Sequence, residues 1–132
     1  MKHFMLDTNT VSHLIKNHPK VVQRVTSKPT ASLFISVITE CELLYGIAKR
    51  PEAKRLHLSV REFLKCVDIL PWDSTFSEEY GHLRAKMEQG GKSLASFDLL
   101  IATQAYTKKI TLVTNDQAFK QVSGLNLEDW TQ

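Results

Sequence analysis

The chain has 132 residues, 42% of them hydrophobic, and 17 Lys and Arg against 14 Asp and Glu give a formal charge of +3 at pH 7. A chain of this size buries roughly two-thirds of its unfolded surface, so residues 1–132 are read as one domain that needs no disulfide framework. Cys41 and Cys66 are too few for a zinc site and read as small buried thiols, while the apolar stretch before Asp7 is too short for a signal peptide or a membrane span; the expectation is a cytoplasmic protein with no membrane partner.

Along the chain, short apolar runs alternate with segments of helical period. Strands are expected at residues 3–6, 33–36, 67–70 and 110–114, with a less defined edge strand near 125–127 after Gly124. Helices are expected at residues 9–16, 19–27, 37–49, 51–64, 75–89 and 97–108, where apolar residues recur every three or four positions. Pro19 and Pro51 suit first helical turns, Ser96 suits a cap, and Gly90-Gly91 a stop. Alternation of this kind implies an α/β fold around a parallel sheet.

Four acids border these apolar runs: Asp7 in MLDTN, Glu42 in SVITECELLYG, Asp98 in SFDLLIATQA and Asp116 in LVTNDQAF. Reactive groups of an open parallel sheet collect outside the carboxyl ends of its strands, which puts Asp7 and Asp116 on one rim. Asp98 opens a helix with an apolar continuation, and Glu42 shares a helical face with Ile38, Tyr45 and Lys49, so all four acids can meet. Uncompensated carboxylates beside a core are costly, and a divalent cation is their natural counter-charge. The plainer readings are a cap for Asp7, a dipole-favoured acid for Asp98, a surface helix residue for Glu42 and a turn residue for Asp116. Thr8, Asn9, Thr114 and Asn115 are candidates to orient the carboxylates.

Two basic stripes, Lys16, Lys20, Arg24 and Lys28, then Lys49, Arg50, Lys54, Arg55, Arg61 and Lys65, suit a polyanion or simply a solvated face. The five histidines show no ligand-like pairing, and Trp72 and Trp130 read as packing residues rather than base-stacking platforms.

Together these segments, with the terminal GLNLEDW, resemble the PIN-domain ribonucleases, and within them the VapC toxins of type II toxin-antitoxin systems, over nearly the whole chain. The resemblance implies a three-layer α/β/α fold with a central parallel sheet of four or five strands and homodimerisation. It implies that Asp7, Glu42, Asp98 and Asp116 are the catalytic, metal-holding residues for Mg2+ or Mn2+. It further implies cleavage of RNA, with transfer RNA as substrate and the anticodon stem-loop of the initiator species as the target seen in enteric-type relatives. A cognate VapB-type antitoxin would cover the site, form a higher toxin-antitoxin complex, and carry any binding to promoter DNA. Hydrolysis would leave 5'-phosphate and 3'-hydroxyl ends. The competing classes are an aspartyl-phosphate enzyme or receiver-like regulatory domain, for which the expected second acids are missing, and a non-catalytic nucleic-acid-binding module, which leaves the acids unexplained.

Overall fold

The first apolar run becomes β1 (Phe4–Leu6), and its side chains divide between two cores as a strand's period of two requires. Phe4 and Leu6 pack to one side with Leu33 and Ile35, whereas Met5 packs to the other with Leu112. The structure is a computed structural model that describes residues 1–132. After β1 come α1 (Thr8–Ile15), α2 (Pro19–Thr26), a 3-10 turn (Thr30–Ser32), β2 (Leu33–Ser36), α3 (Val37–Ala48), α4 (Lys54–Cys66) and β3 (Asp68–Leu70). Then follow α5 (Ser74–Gln89), α6 (Ser96–Lys108), β4 (Thr111–Val113), a second 3-10 turn (Gln117–Gln121) and β5 (Leu127–Glu128).

All strand pairs are parallel, in the order β3-β2-β1-β4-β5. One side of the sheet is covered by α1 to α4 through Val11, Val21, Leu43, Ile47 and Val60. The other is covered by α5 and α6 through Met87, Leu99, Ile101, Ala102 and Ala105. The result is the expected three-layer α/β/α sandwich, with five strands. No helix is long and apolar enough to cross a membrane.

Three local expectations fail, each for a physical reason. Pro51 does not open α4. Residues 51–53 form a turn in which the Ala53 N-H donates to Arg50 O and the Lys54 N-H to Glu52 O, and the fixed φ of proline serves a turn as well as a helix. Ser96 is the first helical residue rather than the cap of α6, and Ala95 at the cap position offers no side-chain hydrogen bond. Cys41 and Cys66 are exposed, not buried. The inner face of α3 is taken by Thr39, Leu43 and Ile47, which turns Cys41 outward, and Cys66 ends its helix.

The C-terminal segment ties down half of the first basic stripe. Trp130 is 1% exposed and packs on Phe4 at 5.2 Å, with the Arg24 guanidinium 5.3 Å and the Lys28 ammonium 5.7 Å from its ring. Glu128 accepts from the Trp130 indole at 2.9 Å and pairs with Lys2 at 2.7 Å and Arg24 at 3.1 Å. Trp130 is thus a packing residue, and Arg24 and Lys28 are engaged by the fold.

Candidate active site

From β1 the chain builds outward through β2 to β3, then returns to the other side of β1 with β4. That reversal opens a crevice beyond the carboxyl ends of β1 and β4, where ligands of open α/β sheets bind. Asp7 leaves β1 directly into this crevice and caps α1, its Oδ1 accepting the Thr10 N-H at 2.8 Å. The Asp7 N-H and the Thr10 hydroxyl both donate to Val113 O, at 3.1 and 2.9 Å, so the turn is clamped to the end of β4. Asp7 is 3% exposed.

Asp116 stands three residues beyond β4, where its Oδ1 accepts the Ala118 N-H at 2.9 Å and its own N-H donates to the Thr114 hydroxyl at 3.0 Å. Glu42, half-buried on α3, accepts the Thr8 hydroxyl at 2.6 Å. Asp98, half-buried in the first turn of α6, accepts no hydrogen bond.

The charges of these acids act on one another. Burial pushes the Asp7 carboxyl up, hydrogen bonds from Thr114 and Thr10 oppose that rise, and Asp116 adds to it. Burial also pushes Asp98 up, followed by the charges of Asp116, Glu42 and Asp7, with no hydrogen bond to offset them. None of the four has a cationic side chain within ion-pair distance, since the ion pairs of the protein involve Glu128, Glu62 and Glu88. Glu42 Oε2, Asp116 Oδ2 and both Asp98 oxygens are left without hydrogen-bond donors. An all-oxygen set of this kind matches a hard cation such as Mg2+ or Mn2+ better than zinc. The carboxylates nevertheless stand apart: no three His, Cys, Asp or Glu side chains are grouped to hold a metal ion as they stand.

Of the four polar residues proposed to orient these acids, Thr8 and Thr114 touch the site. Asn9 is exposed and makes no side-chain hydrogen bond, and Asn115 is exposed with its amide 3.4 Å from His13 Nε2. Sequence reasoning missed Thr10 and the fully buried Thr39, whose hydroxyl lies 3.3 Å from that of Thr8. Beside Glu42 and Thr8 opens a hollow of about 220 Å³ bordered by Lys16, Lys49 and Arg50. A larger hollow of about 510 Å³, near Tyr106, Lys109 and Asn126, lies by the starts of β4 and β5, at the opposite end of the strands from the acids.

Comparison with known proteins agrees with this architecture. The PIN domain family model matches residues 4–125. The tRNA(fMet)-specific endonuclease VapC of Shigella flexneri is 33% identical over 132 residues, covering 99% of this chain and 100% of that protein. Among solved structures, the chain resembles DNA-bound VapBC from Salmonella typhimurium with a TM-score of 0.90 and 33% identity, over 98% of this chain and 99% of the other. VapBC2 from Rickettsia felis, bound to a DNA fragment from their promoter, gives a TM-score of 0.86 and 33% identity over 96% and 98%. The chain belongs to the PIN domain family, in its VapC branch.

Proposed function

We propose that the chain is the toxin of a type II toxin-antitoxin pair, a divalent-metal-dependent endoribonuclease whose cation is held by Asp7, Glu42, Asp98 and Asp116. The observation that carries this reading is the group of mutually repelling acids at the switch point, without a cationic partner and with carboxylate oxygens free of donors. Its substrate is transfer RNA, for which the relative named as tRNA(fMet)-specific is the guide, with the initiator anticodon stem-loop as the first target to try. Its partners are a VapB-type antitoxin, as in the VapBC complexes it resembles, and a second copy of itself. DNA contact would come through the antitoxin.

When bound, Mg2+ or Mn2+ supplies Lewis-acid polarisation of a phosphoryl oxygen and a water made acidic enough to attack near neutral pH. The residues divide the remaining work. Asp7, clamped between β1 and β4, fixes the centre, and Thr8 aims Glu42 toward it. Thr114, through the Asp116 N-H, sets the turn that presents the fourth acid. Lys16, Lys49 and Arg50 around the adjoining hollow hold backbone phosphates. Water rather than a side chain or the 2'-hydroxyl is the nucleophile: its oxygen bonds to phosphorus, the P–O3' bond breaks and O3' takes up a proton, which leaves a 5'-phosphate and a 3'-hydroxyl.

The test is incubation of the chain and its Asp7→Ala variant with total transfer RNA in Mg2+, Mn2+ or EDTA, followed by mapping of the ends. A discrete cut that requires both metal and Asp7 is expected. Cleavage that persists in EDTA, or in the variant, would overturn the assignment.

A further inference from the structure

Asp98 sits at a helix start that no side chain caps. Ala95 at the cap position of α6 makes no side-chain hydrogen bond, and Ser96 and Phe97 are exposed. Against the sheet, α6 presents small and aliphatic residues such as Leu99, Ala102 and Ala105. Close packing of these residues on the sheet and the short turn into β4, where the Ile110 N-H donates to Ala105 O at 2.9 Å, hold the far end of the helix. A directional contact nearer the rim constrains the helix start more narrowly than packing does.

That contact is Gln104. It is 0% exposed, in a helix otherwise lined inside by apolar residues and Thr103. Its Nε2 donates to Leu70 O at 3.2 Å and to Pro71 O at 3.1 Å, using both amide hydrogens. The Thr103 hydroxyl returns to Leu99 O within the same helix, so the two bonds of Gln104 are the only side-chain hydrogen bonds that leave α6. Leu70 ends β3, which is paired to β2 through Ile35 and Ser36, so the accepting carbonyls belong to the carboxyl rim of the sheet. The same amide leaves its Oε1 buried without a partner. An apolar residue of equal volume would remove that unpaired carbonyl but would also take the side-chain donor from Leu70 O and Pro71 O, so the value of glutamine here lies in those two bonds.

We infer that Gln104 is a positioning residue: by hanging α6 from the β3 rim it sets the axial placement of Asp98, six residues or about 9 Å earlier on the same rigid helix. The inference rests on the proposed role of Asp98 in holding the cation. Partners bonded directly to a ligating side chain alter affinity by about 10–100-fold when removed, and Gln104, which acts on Asp98 through the helix, should fall at the lower end of that range.

The experiment compares the full chain with Gln104→Met, Gln104→Leu, Gln104→His and Asp98→Asn. Met and Leu keep the volume without donors, and His keeps one donor at similar reach. Each is followed by thermal melting in EDTA, by calorimetric titration with Mn2+, and by kcat and KM for cleavage of transfer RNA. In whichever of the Met and Leu variants folds, Mn2+ affinity should fall about tenfold. Its kcat should fall with KM for RNA unchanged, and excess Mn2+ should restore part of it, while the His variant stays near the parent. Mn2+ affinity and kcat equal to the parent's in a folded Met or Leu variant, with only the melting point moved, would overturn the inference and leave Gln104 as packing. Should Asp98→Asn itself bind Mn2+ like the parent, the assignment of Asp98 falls, and this inference with it. Loss of binding in Asp98→Asn alone refutes only Gln104.

Discussion

Replacing Asp98 by Asn should make the metal-free chain more stable at neutral pH, although Asp98 is proposed to be essential for activity. Burial, then the charges of Asp116, Glu42 and Asp7, hold its carboxyl above the ordinary value of 3.8, and nothing hydrogen-bonds to it. A carboxyl raised by folding binds more protons folded than unfolded, so stability is greatest below the unfolded value and falls as pH rises through the folded one. Asn carries no charge and escapes that fall. For a half-exposed group facing like charges across solvent, each repulsion is worth a few tenths of a kcal/mol, giving a gain of about 0.5–1.5 kcal/mol. With an unfolding entropy of about 0.28 kcal/mol/K for a chain of this length, the melting point should rise by about 2–5 °C in EDTA at pH 7.5. The difference should vanish near pH 3. In Mn2+ at a hundred times the parent's Kd the order reverses, because the parent then gains about 2.7 kcal/mol and the variant little. Melting curves in EDTA and Mn2+ at the two pH values decide it. A variant less stable than the parent in EDTA at pH 7.5 would refute the reasoning, since Asp98 would then be making a favourable contact.

Thr8→Val removes the 2.6 Å hydrogen bond to Glu42 and should weaken Mn2+ binding about tenfold by calorimetry while changing stability by less than about 1 kcal/mol. Trp130→Ala empties a site that is 1% exposed and should cost about 3–5 kcal/mol in chemical denaturation. At Glu128, burial raises the carboxyl but Lys2, the Trp130 indole and Arg24 together hold it below 4.5. Its stabilisation is therefore present above pH 4.5 and lost as pH falls through the lower folded value; Glu128→Gln should melt below the parent at pH 7, with the gap closing in acid. Lys49→Ala should lower the slope of log affinity against log salt for single-stranded RNA by about 0.7, read by filter binding.

The strands were legible because Phe4–Leu6 and Leu33–Ser36 are apolar runs bounded by polar residues, and a parallel sheet buried on both faces needs such runs. The start of α4 was not, because proline fits a first helical turn and a tight turn equally well, and only the hydrogen bonds of Ala53 and Lys54 choose between them. Cys41 and Cys66 misled because a small residue in a helix carries no sign of which face it occupies. The second basic stripe kept its exposed Lys49, Arg50 and Lys54, but Arg24 and Lys28 of the first are held by Trp130, a partner some hundred positions away in sequence that no local pattern reveals. At the site, an acid directly after an apolar run marked Asp7. The pairing of Thr8 with Glu42 and of Gln104 with Leu70 and Pro71 spans more than thirty residues in each case and could be seen only in three dimensions.

The four acids are not equally anchored, and that difference bears on how the site would close. Asp7 is almost wholly buried and caps α1, while its backbone and that of β4 are joined by hydrogen bonds. Moving it would break the cap and unsettle the junction of two central strands. Glu42 is steadied by one hydroxyl and Asp116 by one backbone N-H, whereas Asp98 is steadied by none. On the proposed reading, gathering the carboxylates around a cation therefore leaves Asp7 in place and moves the others toward it, Asp98 by a change of side-chain rotamer, since α6 is held at its middle by Gln104. The demand on the fold is then narrow: α6 must deliver Asp98 within a side chain's reach of Asp7, and the packing of Leu99, Ala102 and Ala105 on the sheet together with the amide of Gln104 at its rim would set that distance.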